Sequence, residues 1–146
     1  EVIPEGFQRP YPPEWEADFA ATYDGMTGPV RWQRAVADPY GCLDLRQYIV
    51  PYENAVAYAH AAIIAPRDMK ATIGLGSNDG ARVWVNRELV FGLHIGRPAR
   101  PNQDVFEVSL RKGSNPVLVK VENWGARWEL YLAARDPQNV FKFAAK

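Results

Sequence analysis

The chain has 146 residues, with 17 Lys plus Arg balanced by 17 Asp plus Glu, so it is long enough for one domain with its own core and carries no field of one sign to favour nucleic acid or an anionic membrane. A single cysteine, Cys42, excludes an internal disulfide and a cysteine-based zinc site. No apolar run approaches the ~20 residues of a membrane-spanning helix, and the opening EVIPEGFQRP lacks the basic and apolar regions of a secretory signal.

Residues 1–16 contain Pro4, Pro10, Pro12 and Pro13 among Phe7, Tyr11 and Trp15. Proline fixes φ and removes a donor, so this stretch is expected to be extended, as a segment packed on the domain surface or a linker from a preceding one. Residues 17–136 read as the β domain and residues 137–146 as a C-terminal extension. After the turn-rich DGMTGP, residues 30–33 form a short strand whose Trp32 reads as packing. In residues 56–65, Val56, Tyr58 and His60 alternate with alanine and Pro66-Arg67-Asp68 ends the run, which predicts a strand with a hairpin partner after it. His60 there reads as a satisfied sheet residue.

Residues 71–77 and 81–85 alternate on either side of the turn signal Asn78-Asp79-Gly80, predicting a second hairpin, and Asn86-Arg87 turns the chain again into Leu89, Val90 and Phe91. Trp84 opposes Val83 and Val85 and reads as scaffold. A loop rich in Gly, Pro and Arg occupies residues 92–103. Residues 104–110 alternate cleanly, with Phe106, Val108 and Leu110 on one side. A turn at 111–115, a strand at 116–122, a loop at 123–127 and a final strand at 128–134 complete the pattern, with Trp128, Leu130 and Leu132 facing the core. No helix of normal length is expected. The class is all-β, an antiparallel β-sandwich with little or no helix.

The run LGSNDGARVWVNRELV, followed by DVFEVSLRKGSNPVLVKVENWGARWELYLAARD, resembles the galactose-binding-domain-like jelly rolls attached to bacterial glycoside hydrolases and other secreted enzymes. The matching parts are Ser77-Asn78-Asp79-Gly80, Val83-Trp84-Val85-Asn86, residues 110–115, residues 118–121 and the Gly125-to-Trp128 approach to the last strand. Where that family has an Asn-Gly turn this chain has Asn86-Arg87, so Arg87 must tolerate positive φ or the turn type must change. Asn78 replaces the first of two acidic residues. The resemblance implies a jelly-roll sandwich, export to the periplasm or cell exterior, and association with carbohydrate as an accessory module.

Because antiparallel strands alternate in direction, the loops at 52–54, 78–80, 93–103 and 123–127 fall at one end. That end collects Tyr52, Glu53, Asn54, Asn78, Asp79, His94, Arg97, Arg100, Asn123, Trp124 and Arg127. Sugar recognition needs an aromatic face for the CH side of a pyranose and planar amides or carboxylates for hydroxyls. Trp124 is the platform candidate, while Arg97, Arg100 and Arg127 could clamp an acidic polysaccharide through bidentate bonds. The competing reading of Trp124 is a cap over the sandwich end, and of the arginines, solvated loop charge.

No cofactor is required. The resemblance also raises a structural calcium, for which Asp24 and Asp79 are the weak candidates, although Asp79 beside Asn and Gly reads equally as an Asx turn. Glu53 with Asp79 is the one imaginable carboxylate pair of a glycosidase, and no nucleophile elbow, zinc motif or phosphate loop is present. The expected function is therefore non-catalytic glycan binding, with a polysaccharide or oligosaccharide as partner. The alternative is a structural or protein-interaction domain that packs on a neighbouring catalytic domain or self-associates.

Overall fold

The computed structural model describes residues 5–50 and 53–146, and among them strands dominate. Helix is confined to one α-turn, α1 (Glu5–Gln8), and two 3-10 turns, Pro12–Glu14 and Leu45–Gln47. The strands in order are β1 (Thr22–Gly25), β2 (Gly28–Arg31), β3 (Leu43–Asp44), β4 (Ala55–Ala65), β5 (Met69–Asn78), β6 (Ala81–Val85), β7 (Glu88–Leu93), β8 (Asp104–Leu110), β9 (Gly113–Asn123), β10 (Glu129–Ala134) and β11 (Lys142–Ala144). They form a four-stranded sheet, β3-β10-β5-β8, facing a five-stranded sheet, β11-β4-β9-β6-β7, with β1-β2 as a separate arm. Every described pairing is antiparallel. The fold is the expected antiparallel β-sandwich of the jelly-roll type.

Period-two alternation sets the core. Val83 and Val85 of β6 and Val117, Val119 and Val121 of β9 face Ile73, Leu75, Val108 and Leu130 of the opposite sheet, all buried. Trp128, fully buried, fills one end of this layer, and Phe91 stacked on Phe106 at 5.0 Å closes the side where β7 and β8 are the sheet edges.

Two expected hairpins are absent. β4 and β5, and β5 and β6, lie in different sheets, so residues 78–80 cross between layers and do not close a hairpin. Packed sheets stand roughly 10 Å apart, about twice the spacing of paired strands, and the linker bonds to a third element: Asp79 N–H donates to the Glu122 carbonyl at 2.7 Å, and Glu122 N–H to the Gly80 carbonyl at 3.0 Å. Alternation reports which face a residue takes and is silent on which strand lies alongside. Within the sandwich β6 and β7 do form a hairpin, where Asn86 and Arg87 have φ of 52° and 68°. Both central residues are left-handed, as a type I′ turn requires, so Arg87 occupies the position as the first of the two anticipated solutions.

Residues 5–16 and 141–144 both join the sandwich. Residues 5–16 are not extended: α1 and the 3-10 turn lie over the outer face of the five-stranded sheet, burying Phe7 and Pro13. Residues 128–134 do not hold the last strand, because β11 pairs with β4 and the preceding Phe141 is buried in the core. The expected short strand at 30–33 is shifted to Gly28–Arg31, where it pairs with β1. Trp32 and Phe19 pack around His60, whose Nδ1 lies 3.1 Å from the Ala145 carbonyl oxygen.

Candidate functional site

Asp79 organises the loop end. Its Oδ1 accepts the Arg97 N–H at 3.0 Å and its Oδ2 accepts the Trp124 N–H at 2.8 Å, so one carboxylate fixes the loops after β7 and β9. Ser77 Oγ donates to the Asp79 carbonyl at 2.6 Å. Arg97 turns inward, donating through Nε to the Ser77 carbonyl at 3.1 Å and pairing with Asp104 at 2.5 Å. The loop then crosses the outside of the four-stranded sheet, where the Arg100 carbonyl and the Asn102 side chain occupy the space a Cβ would need at Gly76 and Gly74. Those two glycines permit this close approach.

Trp124 stands over this network. Its indole N–H donates to Glu122 Oε2 at 3.1 Å, while Glu122 Oε1 lies 2.6 Å from His94 Nδ1. Glu122 is buried on the outer face of β9, and nothing in its strand alternation distinguished it from a solvated residue, so it was absent from the sequence candidates. The rings of Phe7, His94 and Trp124 form a row, with centroids 5.6 Å and 5.3 Å apart. Trp124 keeps 44% of its surface exposed despite two hydrogen bonds and packing on Gly96, which leaves part of a fixed aromatic surface open to solvent. Beside it lies a cavity of about 70 Å³ walled by Gly6, Phe7, residues 54–56 and residues 122–124. That volume is far below the ~300 Å³ of an enclosing small-molecule pocket, so a ligand here would lie on the surface with only a substituent in the recess.

The remaining candidates divide. Asn54, exposed with φ of 51°, lines the recess, and Glu53 is exposed next to it. Tyr52 lies outside the described residues. Asn123 is buried and its Oδ1 accepts the Gly125 N–H, so it shapes the loop from within. Asn78 sits in the β5–β10 ladder opposite Glu129. The arginine clamp is not assembled: Arg97 is consumed internally, Arg100 is exposed beyond Gly76, and Arg127 leans toward Glu129 at 3.5 Å. Each oxygen of Asp79 already accepts an amide hydrogen, so its carboxylate is engaged in holding the two loops. Asp24 lies in the β1-β2 arm, paired with Pro29. Among the described residues no group of three or more His, Cys, Asp or Glu gathers as a metal site.

A larger recess of about 290 Å³ lies near Asp38, Cys42, Asp44 and Glu129. Its acidic groups are engaged: Asp38 accepts the amides of Tyr40 and Cys42, and Arg46 holds Asp44 in two side-chain bonds that keep its carboxyl below the usual aspartate range. Burial pushes the Cys42 thiol up, leaving it protonated and a poor nucleophile.

No protein-family model matches the chain, and no curated protein matches it. Among solved structures it is similar to a family 35 carbohydrate binding module from an environmental isolate, at 20% identity and a TM-score of 0.49, covering 64% of this chain and 75% of that one. It is also similar to part of the GH31 alpha-xylosidase from Xanthomonas citri, at 18% identity and a TM-score of 0.49, and of the beta-glucosidase from Kluyveromyces marxianus, at 12% identity and 0.48. Each of these two matches covers 68% of this chain, but only 12% of the xylosidase and 14% of the glucosidase.

Proposed function

We propose that this domain binds a glycan without transforming it, by stacking a sugar ring on the exposed part of Trp124 with Asn54 and Glu53 at the margin. The observation that carries the reading is the fixation of that indole: its backbone N–H is held by Asp79, its ring N–H by Glu122 and its underside by Gly96, yet 44% of it faces solvent. A tryptophan that merely capped the sandwich would gain most by burying its surface. One anchored at both nitrogens and left half open is preorganised, and loses little side-chain entropy on meeting a ligand. The sequence motifs shared with jelly-roll accessory modules of glycoside hydrolases support the same reading.

The open platform suits a chain of sugars better than a free monosaccharide. With Arg97 turned inward and Glu53 beside the recess, a neutral polysaccharide suits the site better than an acidic one. The test is affinity electrophoresis against a panel of neutral and acidic polysaccharides, with and without EDTA. Retention by a neutral polymer, unaffected by EDTA and lost in Trp124→Ala at an unchanged melting temperature, is the expected result. Retention that survives Trp124→Ala removes this residue from the site, and a panel that retains nothing while sedimentation shows self-association favours the interaction-domain alternative.

A further inference from the structure

Lys120 is on β9, two residues before Glu122 and on the same outer face, and its side chain is 0% exposed. A buried ammonium requires partners, and residues 9–14 of the amino-terminal segment supply three: the Arg9 carbonyl at 2.7 Å, Glu14 Oε1 at 2.6 Å, and the Tyr11 ring 5.2 Å away. Tyr58 on neighbouring β4 completes the cluster, donating its hydroxyl to the same Glu14 oxygen at 2.5 Å. Burial lowers the Lys120 pKa and the Glu14 carboxylate opposes that shift, while burial and Glu14 together drive the Tyr58 hydroxyl far upward.

The same segment reaches the Trp124 site. Phe7 is 2% exposed, lies under the Arg82 guanidinium at 4.7 Å, and meets His94 at 5.6 Å. Arg82 pairs directly opposite Lys120 in the β6–β9 ladder. Two adjacent cations of the sheet are thus covered by one short piece of chain, which also supplies Gly6 and Phe7 to the recess beside Trp124.

We propose that Lys120, Glu14 and Tyr58 form a latch that docks the amino-terminal segment, and that the docked Phe7 positions His94, and through Glu122 the indole of Trp124. The segment is then a working wall of the binding platform, and Glu14 and Phe7 are positioning residues. The inference rests on the glycan-binding reading for its functional consequence and on packing alone for the coupling itself.

The coupling is tested on the whole chain by NMR of its labelled tryptophan indoles, the Trp124 resonance being assigned with Trp124→Phe, together with amide hydrogen exchange. Glu14→Ala leaves Lys120 buried without its counter-charge, and is expected to speed exchange in residues 5–14 by about tenfold or more and to shift or broaden the Trp124 indole resonance. The double substitution Glu14→Gln with Lys120→Met removes both charges and is expected to return the resonance toward its original position. Should Glu14→Ala not fold, Tyr58→Phe removes one bond of the latch and is expected to move the same resonance by less. An unmoved Trp124 indole in the folded variant, with residues 5–14 exchanging faster, overturns the proposal, because the segment is then only a cover. For a polysaccharide that the unmodified chain retains, Glu14→Ala is expected to weaken retention about tenfold. If the unmodified chain retains none, the glycan reading fails and the indole resonance still decides the coupling.

Discussion

The indole of Trp124 lies against the backbone of Gly96, so closely that a Cβ at position 96 would stand 2.4 Å from Cζ3 of the ring. Non-bonded carbons pack about 3.5–4.0 Å apart, so a side chain there must displace the ring. Gly96→Ala is expected to alter near-ultraviolet circular dichroism and tryptophan fluorescence and to reduce polysaccharide retention several-fold, with a stability cost of about 1–3 kcal/mol where the displaced ring gives up its bond to the buried Glu122. Unchanged retention with a visibly displaced ring would show that the platform tolerates movement.

Asp79→Asn replaces an acceptor that serves two amides with a group that presents hydrogens to one of them. Leaving one of the Arg97 or Trp124 N–H groups without its acceptor is expected to cost about 1–3 kcal/mol in urea unfolding. Hydrogen exchange should quicken in the loops around residues 94–97 and 123–125 before it does in β9. An equal increase throughout the sandwich would mean that Asp79 stabilises the fold as a whole and not these two loops.

Arg87 holds a φ of 68° at an exposed turn position. A side chain in the left-handed region costs roughly 1 kcal/mol that glycine avoids, so Arg87→Gly should stabilise the chain by up to about 1 kcal/mol and leave glycan retention alone. Thermal unfolding of the two proteins compares them directly.

Tyr58 bears on alkaline stability. Its hydroxyl is raised above the ordinary tyrosine value, first by burial and then by the hydrogen bond to Glu14. The folded phenol stays protonated while an unfolded tyrosine ionises near pH 10. Above that pH the unfolded state binds fewer protons than the folded one, so the contribution of Tyr58 is complete below about pH 10 and declines as pH climbs toward the folded pKa. Tyr58→Phe is expected to cost about 1 kcal/mol near neutrality, and the gap should narrow between about pH 10 and 11.5. A gap that widens with pH contradicts the assignment.

The strands themselves were largely legible in the sequence, because burial on one face writes itself as period-two alternation. Val105, Glu107 and Ser109 against Phe106, Val108 and Leu110 is the plain case. The gathering of the loops at one end was legible too, and for a reason that survived the missing hairpins: an antiparallel chain reverses direction at each strand whether it stays in its sheet or crosses to the other. Asp79, Arg97 and Trp124 do meet.

Which strands lie side by side, and which polar groups remain free for a ligand, were decided by the tertiary structure. Residues 78–80 carry the composition of a tight turn in either arrangement, and only the bonds to Glu122 from a strand some forty positions away select the crossing. Arg97, Asp79 and Asn123 have the chemistry of sugar recognition but spend it on holding loops, whereas Glu122 and Lys120 appear in sequence as the solvated face of a strand and are buried, Glu122 against His94 and Trp124 and Lys120 under a segment more than a hundred positions distant. Residue type fixes what a group can bond to; long-range packing determines whether that bond is made within the protein or left for a partner.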